Sequence, residues 1–394
     1  MKPPSTSALE RPGNEKYVAL DVLRVACTFG VVFLHVFVSV GEPNSVRWMA
    51  KLRDFSLPVM VLSSFFVLTL SVTRKLPAFE GFFFKRAKRL WAPMLGWTLI
   101  YALIVSFLYP PIFDIPPAEM PPLAVYLTGY RHLWYLQFLF LGSLLIYPLL
   151  RSIARSDSRR SASCVLLFAC SILLFAVTRT PAALELLPEE TDVSVRIFAE
   201  QVMYCLPLVP LAVAMGLARG SIDRAFRGKR VRILALVAVA ATAIIHLAFE
   251  SLPFSREAFA IAVFVAALQP FRWAAVRHLE PFASASYGIY ILHFLPVQVI
   301  WILGVLKGFN FDGLSVVVLS AGIYLTCFGI VRFASRLPLV ELLLPGVRTS
   351  LQTLPQASGP IPLQTEPREF PVRLGAALPG GVELRLRENA VEHR

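Results

Sequence analysis

Charge is scarce in this chain. Of its 394 residues only 16% are Asp, Glu, Lys or Arg, while 56% are hydrophobic and the mean hydropathy is +0.65. So little polar material cannot cover so much apolar surface, which excludes an ordinary water-soluble enzyme. Cysteine is scarce too. Cys27, Cys164, Cys170, Cys205 and Cys327 all fall in apolar segments, with no CxxC or Cys/His metal spacing. A disulfide scaffold and a structural zinc site are therefore not expected, and no metal is assigned. The first 16 residues lack an apolar core followed by small residues, so a cleavable signal peptide is not expected and the first span stays in place.

What is present is apolar sequence in blocks of about 20 residues, long enough to cross a hydrocarbon core of roughly 30 Å. The pattern predicts an all-α polytopic transmembrane helix bundle of about ten spans: 18–40, 54–73, 91–109, 132–150, 163–179, 200–218, 231–249, 257–274, 284–306 and 313–333. Prolines or charges border the second and eighth of these. The excess of 38 Lys and Arg over 25 Asp and Glu gathers in alternate loops: Arg74 to Arg89, Arg151 to Arg160, and Arg219 to Arg232. Basic loops face the cytoplasm, which accounts for the positive charge without nucleic acid and places both termini inside. The acidic loop 180–200, with Glu185, Glu189, Glu190 and Asp192, is then outside. The loop 110–131 holds six prolines and is expected to form an outer cap. Residues 1–16 read as a cytoplasmic segment, 17–335 as the membrane domain, and 345–394, rich in Pro, Gly, Gln and Arg, as a mobile cytoplasmic tail. With no soluble catalytic domain in view, chemistry is expected inside the bundle.

An ionisable residue inside a span is costly and marks function by default. The first span carries Asp21, Arg24 and His35. Asp21 and Arg24 are one turn apart and can pair. Arg24 and His35 lie about three turns apart on the same face, roughly 16 Å along the axis. The same spacing also suits an interfacial ion pair and an unrelated buried histidine. Arg86 and Arg89 precede Trp91 and Pro93. Their forked guanidiniums suit phosphate oxygens, while Lys85 and Lys88 beside them suit a cluster that merely fixes topology. Trp134 and Tyr135 after Arg131-His132 also fit an aromatic belt. Ser286, Tyr290 and His293 form a polar stripe that interhelical hydrogen bonding accounts for equally well.

Taken in order, these landmarks resemble the acyltransferase-3 family of integral membrane acyltransferases, which includes bacterial polysaccharide O-acetyltransferases. The landmarks are Leu20-Asp21-x-x-Arg24 with His35, Arg86-x-x-Arg89 with Pro93, His132-x-Trp134-Tyr135-Leu136, and Ser286-x-x-Ile289-Tyr290-x-x-His293. The resemblance covers 17–333. One position departs: Ser64 stands where Gly is usual, which bears on how closely span two approaches its neighbours. The fused extracytoplasmic esterase-like domain of some members is not expected here.

The resemblance implies transfer of an acyl group, acetyl by preference, from acyl-CoA to a hydroxyl of a carbohydrate or lipid-linked glycan. It implies a multi-pass protein of the inner membrane, in contact with membrane lipids and with no tightly bound cofactor. His35 is the implied base, Arg24 holds the donor or steadies developing charge, and Asp21 orients Arg24. Arg86, Arg89 and Arg24 are the implied acyl-CoA contacts. Trp134, Tyr135, Ser286, Tyr290 and His293 support the pocket. A secondary transporter is the alternative; it calls for inverted repeats and helices broken near midplane, and neither is evident in the sequence. A non-catalytic scaffold leaves the Arg24–His35 stripe without purpose.

The alternation of basic loops carries a direct test. A cysteine introduced within 180–200 should react with an impermeant maleimide applied to intact cells, and one placed near Arg227 should not. Reversed labelling would invert the assigned orientation.

Overall fold

Lipid offers no hydrogen-bond partners, so apolar runs must satisfy their own backbone groups, and helices do so within one segment. The structure, a computed structural model, describes residues 18–113, 125, 129, 131–180, 193–249, 252, 254–269, 278–306, 308, 311–334 and 343–344. None of these described residues is in a strand. The N-terminal segment, most of the proline-rich loop, the acidic stretch 181–192 and the C-terminal tail lie outside the described residues.

The helical runs in chain order are α1 (Val18–Ser39), α2 (Asn44–Lys75), α3 (Phe79–Ile112), α4 (Trp134–Ala154), α5 (Asp157–Thr178) and α6 (Val195–Leu217). They continue as α7 (Lys229–Ala248), α8 (Ser255–Ala267), α9 (Glu280–Leu292), α10 (Phe294–Gly304) and α11 (Gly313–Ala334). Among the described residues eight helices are long and apolar enough to cross a membrane, and α9 with α10 makes a ninth, bent by 46°. The sequence pattern leads one to expect a single straight span at 284–306. Pro296 has no N–H to offer the Leu292 carbonyl, which accounts for a break there. The expected span at 257–274 contains α8, a helix of 13 residues. At 1.5 Å per residue that is about 20 Å, less than the roughly 30 Å of a hydrocarbon core. The basic stretch expected as a loop at 74–90 is also largely helical, because α3 begins at Phe79. Residues 193–200, assigned to the acidic loop, already belong to a helix running from Val193.

α1 is central. It touches α2, α8, α9, α10 and α11, and Cys27, Val32 and Val36 have no exposed surface. At the periphery α5 and α7 present Leu166 and Leu234, each about two-thirds exposed (65% and 66%), as lipid-facing helices must. α3 is irregular, with π-helical turns at Ala87–Trp91 and Ile104–Leu108. Pro93 cannot donate to the carbonyl four residues back, Arg89, and the Tyr287 hydroxyl of α9 donates to it instead at 2.7 Å. That one bond ties α3 to α9 at the arginine landmark.

Small residues let other helices approach closely, the usual device where lipid supplies no hydrophobic drive. A Cβ on Gly216 of α6 would stand 2.8 Å from the Thr69 side chain of α2, and one on Gly288 of α9 would stand 2.5 Å from Val331 of α11. Gly322 of α11 has nothing within 4 Å. Gly216→Ala should therefore destabilise by about 1–3 kcal/mol despite its better helix propensity. Gly322→Ala should be neutral or slightly stabilising. Thermal unfolding of the two variants in detergent compares them directly, and equal midpoints would show that α2 and α6 are not held at contact distance.

Candidate active site

Three histidines distant in sequence meet inside the bundle. His35 comes from α1, His132 from the tight turn Arg131–Leu133 that leads into α4, and His293 from the break between α9 and α10. Their ring centroids are 5.2 Å apart for His35 and His293, 6.0 Å for His35 and His132, and 4.8 Å for His132 and His293. Phe294 stacks on His132 at 4.7 Å and meets His35 edge-on at 5.8 Å. His132 and His293 are buried and His35 is partly open.

Backbone carbonyls decide where two of these rings carry their protons. His293 Nδ1 lies 2.7 Å from the Tyr290 carbonyl and 3.3 Å from that of Ile289. A carbonyl only accepts, so Nδ1 carries the hydrogen and donates, which leaves the lone pair on Nε2. That Nε2 is buried with no hydrogen-bond partner among the described residues. His132 is the mirror case: Nε2 faces the Ile291 carbonyl at 3.3 Å, and Nδ1 is buried without a partner among the described residues. Two imidazole lone pairs are thus held at one place in the bundle, ready to accept a hydrogen bond or a proton.

Tyrosines brace this arrangement. The Tyr101 hydroxyl of α3 donates to the Ile291 carbonyl at the bend. Tyr109, two turns further on, donates to the Leu295 carbonyl at 2.9 Å. The Tyr290 hydroxyl crosses from α9 to the His132 carbonyl. Tyr135 packs against Tyr290 at 5.8 Å and shares a 3.2 Å hydrogen bond with Ser64 of α2. Ser64, the position that departs from the family pattern, therefore uses its hydroxyl to hold Tyr135.

The other expected site residues are spread more widely. Asp21 and Arg24 do pair, at 3.0 Å, with the Arg24 side chain 45% exposed. They sit toward the start of α1, about 16 Å along the axis from His35. The Arg86 guanidinium lies over the Phe82 ring, 5.5 Å from its centroid, and Arg89 is exposed. Trp134 packs on Tyr135 and Phe138. In the stripe on α9, Ser286 bonds its own helix at the Phe282 carbonyl, 3.0 Å away, and His293 likewise bonds its own backbone. Tyr290 is the stripe residue that reaches a distant segment, the turn before α4.

Sequence reasoning missed two features here. Tyr101 and Phe294 line the histidine cluster, yet in sequence each is one aromatic in an apolar run. A second polar network joins α2, α7 and α8. Arg53 pairs with Asp54 at 3.1 Å, His246 Nε2 stands 3.8 Å from Asp54, and His246 Nδ1 is 3.1 Å from the Ser255 hydroxyl. Nearby in α8, buried Glu257 pairs with Arg179 at 2.5 Å, and Arg179 and Arg256 both lie over the Tyr204 ring. Charges bordering the second and eighth expected spans were its one sequence signal. Among the described residues no three His, Cys, Asp or Glu side chains are arranged to hold a metal ion.

Comparison with known proteins adds one result. A family model described as an acyltransferase domain matches residues 17–332, most of the chain and every residue of the histidine cluster. Searches of curated proteins and of solved structures return no match.

The Tyr290 bond offers a local test. Tyr290→Phe leaves the buried His132 carbonyl without that donor and should destabilise by about 1–3 kcal/mol, the usual penalty for an orphaned buried acceptor. An unchanged unfolding midpoint would show that the hydroxyl does not hold the turn before α4.

Proposed function

The chain belongs to the acyltransferase-3 family and is a multi-pass membrane acyltransferase; on that premise we propose that it transfers an acyl group, acetyl by preference, from acyl-CoA to a hydroxyl of a cell-surface glycan. In this reading the protein resides in the inner membrane, and the glycan, free or lipid-linked, approaches from the extracytoplasmic side. The observation that carries the proposal is the meeting of His35, His132 and His293, two of them with a lone pair fixed by backbone carbonyls.

The chemistry needs a base, because a sugar hydroxyl is a poor nucleophile. His35 is the partly open ring of the three and takes the hydroxyl proton. The oxygen then attacks the thioester carbonyl carbon, the carbon–sulfur bond breaks, and the departing thiolate recovers the proton from the imidazolium. His132 and His293, sealed behind His35, orient it and share its positive charge while it is protonated. Asp21 holds Arg24 at the donor end of α1, and Arg86 and Arg89 engage donor phosphates. No tightly bound cofactor enters this scheme. The break between α9 and α10 is a feature that a transporter would also need. Family membership decides between the two readings.

His35→Gln should lower turnover by about 10²–10⁴-fold, the contribution of a positioned acid–base group, while leaving acyl-CoA affinity unchanged. His293→Gln should retain more activity, since that ring is sealed from the acceptor. Radiolabelled acetyl-CoA offered to purified protein in liposomes, with glycan acceptors, measures both. Near-normal turnover in a folded His35→Gln protein would move the base to His132 or His293.

A further inference from the structure

A cavity of ≈ 680 Å³ opens not beside the histidines but at the turn between α4 and α5, the far end of α4 from His132. Its walls include Phe79 of α3, Tyr147 and Arg151 of α4, Arg155 just after it, and Ser156 and Arg159 at the start of α5. Tyr147 and Arg151 are one turn apart on α4 and so share one face, and Arg155 follows as its C-terminal cap. Tyr147 is held in place by a hydrogen bond to the Pro77 carbonyl and by Phe82, stacked on it at 4.4 Å. Arg151 is half-buried, with Nη1 3.4 Å from the Tyr147 hydroxyl.

These arginines lack what other arginines of the chain have. Arg219 pairs with Asp223 and Arg196 with Glu200, each at 3.1 Å one turn away. Arg151, Arg155 and Arg159 have no carboxylate partner among the described residues. The cytoplasmic bias of basic residues explains their number but not why three of them line one concave wall with an aromatic floor. Like charges gathered in a cleft repel one another until an anion enters. The start of α5, a helix of 22 residues, puts the positive end of its dipole at the same wall. The volume falls in the range of whole ligands rather than of a single small ion.

We propose that this cleft binds a phosphate ester, with Arg151, Arg155 and Arg159 on the phosphate oxygens and Phe79 and Tyr147 along the organic part. Two sources share that chemistry: the nucleotide half of a CoA-type donor, and the headgroup of an anionic phospholipid. Only the nucleotide source rests on the acyl-CoA reading of the function. It gains support from Arg86, whose guanidinium lies over the same Phe82 ring that stacks on Tyr147.

The test uses the full-length protein in nanodiscs. 3′,5′-ADP is titrated calorimetrically into phosphatidylcholine discs, and retention of phosphatidylglycerol from mixed discs is read by native mass spectrometry. Arg151→Gln and Arg155→Gln should each weaken the bound probe by about ten-fold or more, as loss of a charge-assisted contact does. Arg227→Gln, which removes an exposed charge elsewhere, should leave it unchanged. Binding of 3′,5′-ADP identifies a nucleotide site, and retention of phosphatidylglycerol alone identifies a headgroup site. The proposal is overturned if neither probe binds, or if Arg227→Gln weakens binding as much as the cleft variants. Equal thermal midpoints for all variants guard against misfolding. Acyl transfer by a protein whose cleft binds neither probe would leave the histidine assignment standing, whereas probe binding without any transfer would leave the cleft and remove the catalytic reading.

Discussion

A backbone carbonyl that loses its helical donor inside lipid has no water to turn to, and the polar architecture of this bundle follows from where such losses occur. Pro93 removes the donor for Arg89, and Tyr287 supplies one from the neighbouring helix. At the bend beside His293, Tyr101 and Tyr109 reach across from α3 to the carbonyls of Ile291 and Leu295. His132 joins them at Ile291. These bonds hold α3 against α9 and α10 on both sides of the break. Carbonyls at the same bend, those of Tyr290, Ile289 and Ile291, set which nitrogen of His293 and His132 keeps its lone pair. Structural need and chemical readiness are met by the same few groups.

The charged groups are distributed in a way that suits the proposed transfer. Asp21 and Arg24 lie about three turns of α1 from His35, and the arginines of the α4–α5 cleft lie at the other end of α4 from His132. A phosphate is expensive to bury without cationic partners, whereas a neutral acyl arm is not. Under the proposed function, the donor keeps its charged part among arginines at the end of the bundle and only its acyl end advances to the imidazoles. The network of Arg53, Asp54, His246 and Glu257 lies elsewhere, joining α2, α7 and α8, and gives the short α8 charged partners inside the protein rather than in lipid.

Much of this was legible in the sequence because the signals are local. Runs of about 20 apolar residues announce spans whatever their neighbours do. His35 and the Asp21–Arg24 pair stood out because a charge in an apolar helix is conspicuous by itself. The break at His293 was not legible: Pro296 is compatible with a span, since proline occurs in membrane helices wherever neighbours restore the lost bonds. α8 was read as a full span because apolarity was scored without the burial of Glu257 against Arg179. Ser64 read only as an oddity, and its bond to Tyr135 comes from another helix.

The order of residues by itself determined that this chain lives in a membrane as a bundle of helices and which family it resembles, since each depends on composition and on spacing within one segment. Only the tertiary structure decided that His35, His132 and His293 share one site, that Ser286 bonds its own helix while Tyr101 lines the site, and that Arg151, Arg155 and Arg159 line a cleft. Helical periodicity reports a face of one helix and nothing about what that face meets. Which faces meet is settled by close contacts such as Gly216 on Thr69 and by hydrogen bonds between distant segments, and these exist only once the helices have packed.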